Sequence, residues 1–118
     1  MSNYQRGYEF EQRTRKYLQS LGYTVWRQGK SAFPDLIAVG KEGTLKLVEC
    51  KTDGRIDWDE ILAAKILMER TKSEFFMAFK DKRKLRFMRL GDYLKFRGWK
   101  NARKYRNGEK EKCKLEKI

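Results

Sequence analysis

The stretch Pro34-Asp35-Leu36-Ile37-Ala38-Val39-Gly40-Lys41-Glu42-Gly43-Thr44-Leu45-Lys46-Leu47-Val48-Glu49-Cys50-Lys51 decides the fold. Leu36 to Val39 is a short apolar run bounded by Pro34 and Gly40, which predicts a strand. Lys41-Glu42-Gly43 is a tight turn. Leu45, Leu47 and Glu49 then alternate with Lys46, Val48 and Cys50, which predicts a second strand antiparallel to the first. In such a hairpin the start of one strand lies beside the end of the other. Asp35 and Glu49, with thirteen residues between them, therefore converge at one end of the sheet. Glu49 and Lys51 are two apart and share a face. Two carboxylates and an ammonium in one small volume suit Mg²⁺ or Mn²⁺, which take oxygen ligands and keep several waters. The lysine would orient the attacking water or help to deprotonate it. Cys50 points to the opposite face, but its backbone carbonyl lies between the two active side chains and is a further candidate ligand.

Outward from this hairpin, Tyr4 to Leu21 predicts a helix, with Phe10, Thr14, Tyr17, Leu18 and Leu21 along one face and Gly22 as its stop. Tyr23 to Arg27 predicts a strand, followed by a loop, Gln28 to Phe33, that contains Gly29 and Ser31. Downstream, Asp57 and Glu60 form a capping box that opens a helix from Trp58 to about Thr71, with Ile61, Leu62, Lys65 and Met68 at helical spacing. Phe75 to Phe79 and Leu85 to Leu90 predict two more strands, joined by the charged turn Asp81-Lys82-Arg83-Lys84. Asp92 is a candidate cap for a short helix, Tyr93 to about Arg97. The order predicts an α/β chain with a central mixed five-stranded sheet flanked by helices. Residues 1–99 make one domain; residues 100–118, with eight Lys or Arg against three Glu, read as a basic tail.

The 118-residue chain carries 29 Lys and Arg against 16 Asp and Glu, a formal net charge of +13, and no histidine. The missing imidazole excludes Ser-His-Asp and Cys-His catalysis and His-ligated zinc. Its two cysteines, Cys50 and Cys113, have no CxxC spacing and read as free thiols in a reducing compartment. No apolar run reaches the roughly 20 residues that span a bilayer, and the N-terminus lacks a signal-peptide pattern. These features predict an intracellular protein that meets a polyanion, nucleic acid first. Arg6, Arg13, Arg27 and Lys30 are candidates to line a phosphate path beside the acidic site. Lys80, Lys82, Arg83, Lys84 and Arg86 form a basic hairpin. Trp58, Phe75, Phe76 and Phe79 read as core or interface; Trp99 and Tyr105, interleaved with Lys and Arg, read as nucleic-acid contacts.

Pro34, Asp35, Glu49 and Lys51 together resemble the motif of the PD-(D/E)xK nuclease superfamily, whose fold is restriction-endonuclease-like. Glu11, Gly22-Tyr23, Val25, Arg27, Ser31 and Asp35-Leu36-Ile37-Ala38 further resemble the archaeal Holliday-junction resolvases and their viral relatives. The resemblance covers about Arg6 to Lys51. It implies a Mg²⁺-dependent endonuclease, with Mn²⁺ as a substitute, that acts as a homodimer, cuts four-way DNA junctions by paired symmetric nicks and leaves 5′-phosphate and 3′-hydroxyl ends. By that resemblance, Asp35 and Glu49 hold the metal, Lys51 positions the nucleophile, Glu11 supports a second metal or its water shell, and Ser31 and Arg27 touch the scissile strand. Helical spacing puts Glu11 nearer the sheet edge than its rival Glu9. The family often has arginine directly after that glutamate; here Gln12 stands there, with Arg13 next. Glu49 to Arg55 also resembles the virus-type replication-repair nucleases, which would make flaps or other branched DNA the substrate. A DNA-binding module that does not cut is the reading from another class. The cytoplasm or nucleoid of a prokaryotic or virus-infected cell is the location this implies.

Overall fold

A computed structural model of the protein describes residues 2–29 and 32–100. The basic tail beyond residue 100, Tyr105 and Cys113 with it, lies outside the described residues, as do Lys30 and Ser31. The elements are α1 (Asn3–Ser20), β1 (Thr24–Arg27), β2 (Leu36–Val39), β3 (Leu45–Cys50), α2 (Trp58–Thr71), β4 (Glu74–Asp81), β5 (Lys84–Arg89) and α3 (Leu90–Phe96). The strands form one sheet in the order β1-β2-β3-β4-β5. Neighbours are antiparallel except β3 and β4, which run parallel. A parallel pair needs a crossover, and α2 provides it.

Alternation along the strands makes two cores. Leu47, Phe75, Met77 and Phe79 pack with Ile61 and Ala64 of α2 and with Leu90 and Phe96 of α3. Leu36, Ala38, Val48, Phe76, Ala78 and Phe87 face the other way and pack under Phe10 and Leu18 of α1. β4 is buried on both faces, which is why Phe75 to Phe79 reads as an unbroken apolar run.

Helix α1 is opened by a capping box in which Ser2 accepts from the Gln5 N–H and the Gln5 side chain accepts from the Ser2 N–H. The box predicted at Asp57 and Glu60 opens α2 in the same reciprocal way.

Four details differ from expectation. Leu21 is 46% exposed, because the chain turns away from α1 there. The buried line of α2 is Ile61 and Ala64, with Leu67 and Met68 beside it, so Leu62 and Lys65 fall on the solvent side. Helix α3 begins at Leu90 with Arg89 as its N-cap; Asp92 sits inside the first turn and makes no capping bond. Trp99 is buried against Phe79, ring centroids 4.9 Å apart, and donates from its indole N–H to the Asp53 carbonyl at 3.4 Å. It is a core residue rather than a solvent-facing contact.

Candidate active site

One end of the sheet gathers the end of β1, the start of β2 and the ends of β3 and β4, because β2 runs against β1 and β3 while β4 runs with β3. Asp35 directly precedes β2 and comes level with the last residues of β3. The two carboxylates grip each other's strand. The Asp35 backbone N–H donates to Glu49 Oε1 at 3.0 Å, and the Cys50 N–H donates to Asp35 Oδ2 at 2.9 Å. One oxygen of each acid is thus fixed by main chain, which sets the position of the other.

Glu49 is 6% exposed. Burial first, then the charge of Asp35 and contacts with the Glu60 and Asp35 carboxyls, push its pKa up to about 9 against the pull of Lys51. A buried acid crowded by two others is short of positive charge. Lys51 supplies part of it: its Nζ lies 2.7 Å from Glu60 Oε2 and 3.7 Å from Glu49 Oε2. Burial opposes the lysine's charge, but the pairing with Glu60 and Glu49 outweighs it and holds its pKa above the ordinary value. Lys51 therefore stays protonated at neutral pH, which suits it to orient and stabilise charge rather than to take up a proton. The Cys50 side chain packs on the α1 side of the sheet. Its burial and the charge of Asp35 push the thiol well above its usual range, so it remains neutral.

Glu11 of α1 reaches the same place from the opposite layer. It is paired with the Arg27 guanidinium at the end of β1. Burial and the charge of Asp35 raise its pKa despite that pairing. An open cleft of about 290 Å³ joins Glu11, Arg27, Asp35, Glu49, Cys50 and Lys51, walled on one side by Asn3, Tyr4, Gly7 and Tyr8 of α1. Arg6 and Arg13 are exposed on α1 outside this cleft. The tip of the β4–β5 hairpin, with Lys80 to Lys84, projects from the same end of the sheet, and Lys80 lies over the Phe10 ring.

Among the described residues, no three Asp, Glu or Cys side chains are arranged as a cation cage. Glu11 is turned to Arg27, and Asp35 and Glu49 stand with the Cys50 main chain between them. Sequence reasoning did not single out Glu60, Tyr4, Gly7 or Tyr8 as part of the site. Tyr4, Gly7 and Tyr8 stand seven, four and three residues before Glu11, which is the helical line of that glutamate and the one available signal. Glu60 was read only as a cap, and it is one; its other oxygen holds Lys51.

The family model for the archaeal Holliday junction resolvases (Hjc) matches residues 2–114. Among curated proteins none matches the chain. Among solved structures, that of Hjc from Archaeoglobus fulgidus, a Holliday junction resolvase from an archaeal hyperthermophile, superposes with a TM-score of 0.63 at 23% identity. The superposition covers 73% of this chain and 74% of that one. The fold is thus the restriction-endonuclease-like α/β fold, a mixed five-stranded sheet flanked by helices. With the family match running over nearly the whole sequence, the chain belongs to the archaeal Holliday junction resolvase family.

Proposed function

We propose that the chain is a Mg²⁺-dependent endonuclease that resolves four-way DNA junctions by paired symmetric nicks. The observation that carries this reading is the reciprocal grip of Asp35 and Glu49 across β2 and β3, with Lys51 beside them in an open cleft. The donor set fits a hard divalent cation. Two carboxylates and a main-chain carbonyl offer oxygen only, and the buried, crowded Glu49 gains from a positive charge. Asp35 and Glu49 would hold the ion, with the Cys50 carbonyl as a third donor. When bound, it supplies Lewis-acid activation of water and charge neutralisation at the scissile phosphate. Lys51 holds the nucleophile and the phosphate by hydrogen bonding and charge. Glu60 keeps Lys51 in place, and Glu11 with Arg27 forms the cleft's second charged wall. Ser31, in the loop before Asp35, is proposed to contact the scissile strand; Arg27, Arg6, Arg13 and Lys30 to contact DNA phosphates.

Symmetric resolution needs two cuts, and a two-fold dimer provides two equivalent clefts. Helix α2 supports that assembly. Trp58, Leu62 and Ile66 form an exposed stripe at a spacing of four residues, 61%, 42% and 50% exposed. Two copies of α2 laid antiparallel would bury the stripe. A DNA-processing role implies a location inside the cell, with the basic hairpin facing the DNA arms.

An immobile four-way junction and a duplex of matching sequence, each in Mg²⁺ and in EDTA, test this reading, with Asp35→Ala alongside. The reading expects nicks in the junction alone, absent in EDTA and in the variant. Tight junction binding with no cutting would make the chain a binding module. Equal cutting of flaps or plain duplex would keep the cleft chemistry and discard the junction.

A further inference from the structure

Gly7 is a glycine that the protein's own interior does not explain. It lies in the second turn of α1, on the helical line of Thr14 and Leu18, both buried. Its φ is not in the left-handed region, so the backbone has no need of glycine there. A Cβ at this position would meet nothing within 4 Å. Glycine inside a helix is destabilising relative to alanine, and nothing within the described fold uses the missing side chain. What Gly7 does is leave a gap. Near its start α1 overhangs the cleft, and Gly7 lies in the wall between Tyr4 and Tyr8. Those tyrosines are 61% and 44% exposed, beside the cleft that holds Asp35 and Glu49. The Arg27 guanidinium lies 5.1 Å from the Tyr8 ring centroid and braces it from one side.

An exposed ring stacks on any base, and a glycine lets a ligand's backbone approach closely. We propose that the Tyr4–Gly7–Tyr8 face of α1 seats one unstacked nucleotide of the branched DNA, its base on a tyrosine ring and its sugar-phosphate over Gly7. The proposal rests on the branched-DNA reading above. In continuous duplex every base is held in the stack, and leaving it is costly; an unpaired or loosened base leaves it at lower cost. The seat would therefore select for structure rather than sequence, and it would do so next to the cutting site.

The test is a set of dissociation constants measured in EDTA on an immobile four-way junction and on copies with one abasic nucleotide at successive positions around the branch. The full chain is compared with Tyr4→Ala/Tyr8→Ala, Tyr4→Phe/Tyr8→Phe, Gly7→Ala and Gly91→Ala. Gly91, in α3, also has open space around a Cβ and lies away from the cleft. The alanine pair should bind about tenfold more weakly, the scale of one stacked base, and the phenylalanine pair should bind like the parent. At one abasic position the parent should lose about tenfold and the alanine pair nothing further. Gly7→Ala should melt no lower than the parent yet bind more weakly, while Gly91→Ala binds as the parent does. Additive losses at every position, or parent-like binding by Gly7→Ala, would overturn the seat. Equal affinity of the parent for junction and duplex would strike the branched-DNA reading instead, and the abasic cycle, run on whichever DNA binds, still decides the seat.

Discussion

Glu49 and Lys51 stand two residues apart on β3 and its continuation, and they divide the labour of the cleft by charge. Glu49, raised to about 9 by burial and by its acidic neighbours, keeps its proton at neutral pH in the metal-free protein. Between the ordinary carboxyl value and about 9 the folded chain holds a proton that the unfolded chain has released. Glu49 therefore contributes stability that is present at low pH and lost as pH rises through that window. Glu49→Gln removes this dependence. Measured by denaturant unfolding in EDTA, the parent should lose ground to Glu49→Gln by up to about 1.4 kcal/mol per pH unit above pH 5; a constant difference from pH 5 to 9 would contradict the assignment. The pairing with Glu60 outweighs burial and keeps the Lys51 pKa above the ordinary value. Lys51→Met should lower the cleavage rate by on the order of a hundredfold to a thousandfold while junction affinity changes only a few-fold. The convergence of Asp35, Glu49 and Lys51 was legible in the sequence, since strand alternation and one tight turn are local rules. The role of Glu60 was not: a capping box marks where a helix starts, but not which strand end it starts beside.

Among the elements, the segment from Lys51 to Asp57 is the least obvious and the most constrained. It leaves the sheet at Lys51 and must turn before α2. Gly54 makes the turn at φ +73°, and a Cβ there would collide with the Trp99 indole. Tyr93 of α3 accepts from the Ile56 N–H through its hydroxyl at 3.3 Å. Helix α3 and Trp99 thus clamp the segment that carries Lys51. Gly54→Ala should cost roughly 2 kcal/mol or more, through both the left-handed backbone and the clash, and shift the denaturant midpoint accordingly. Parent-like stability would mean that the clamp is loose. The boundaries of α1, α2 and all five strands were legible within a residue or two, because periodicity and turn residues are strong there. The misreadings share a cause. Trp99 stands beside Lys100 in a charged stretch, and only the tertiary approach of α3 to the Lys51–Asp57 segment buries it. The face of Leu62 depended on which way α2 meets the sheet.

Over the whole molecule the charge is lopsided in sign. The full chain carries a net +13, while the cleft lined by Glu11, Asp35 and Glu49 is acidic at its centre. Such a charge balance favours association with a polyanion. Trp58, Leu62 and Ile66 leave an exposed apolar stripe on α2, the seam of the dimer proposed above. Leu62→Arg sets two like charges together at the centre of the antiparallel pair, so the variant should run as a monomer in analytical ultracentrifugation where the parent is a dimer, with its melting temperature little changed. A parent that is monomeric at the same concentration would remove the α2 seam. The central claim, two coordinated cuts across a junction, is tested most directly with a supercoiled plasmid that extrudes a cruciform. If one dimer makes paired symmetric nicks within the life of a single complex, the first product is linear plasmid cut at the cruciform, and Asp35→Ala yields none. Accumulation of nicked circles without linear product, or equal cutting of a plasmid that lacks the cruciform, would contradict the account.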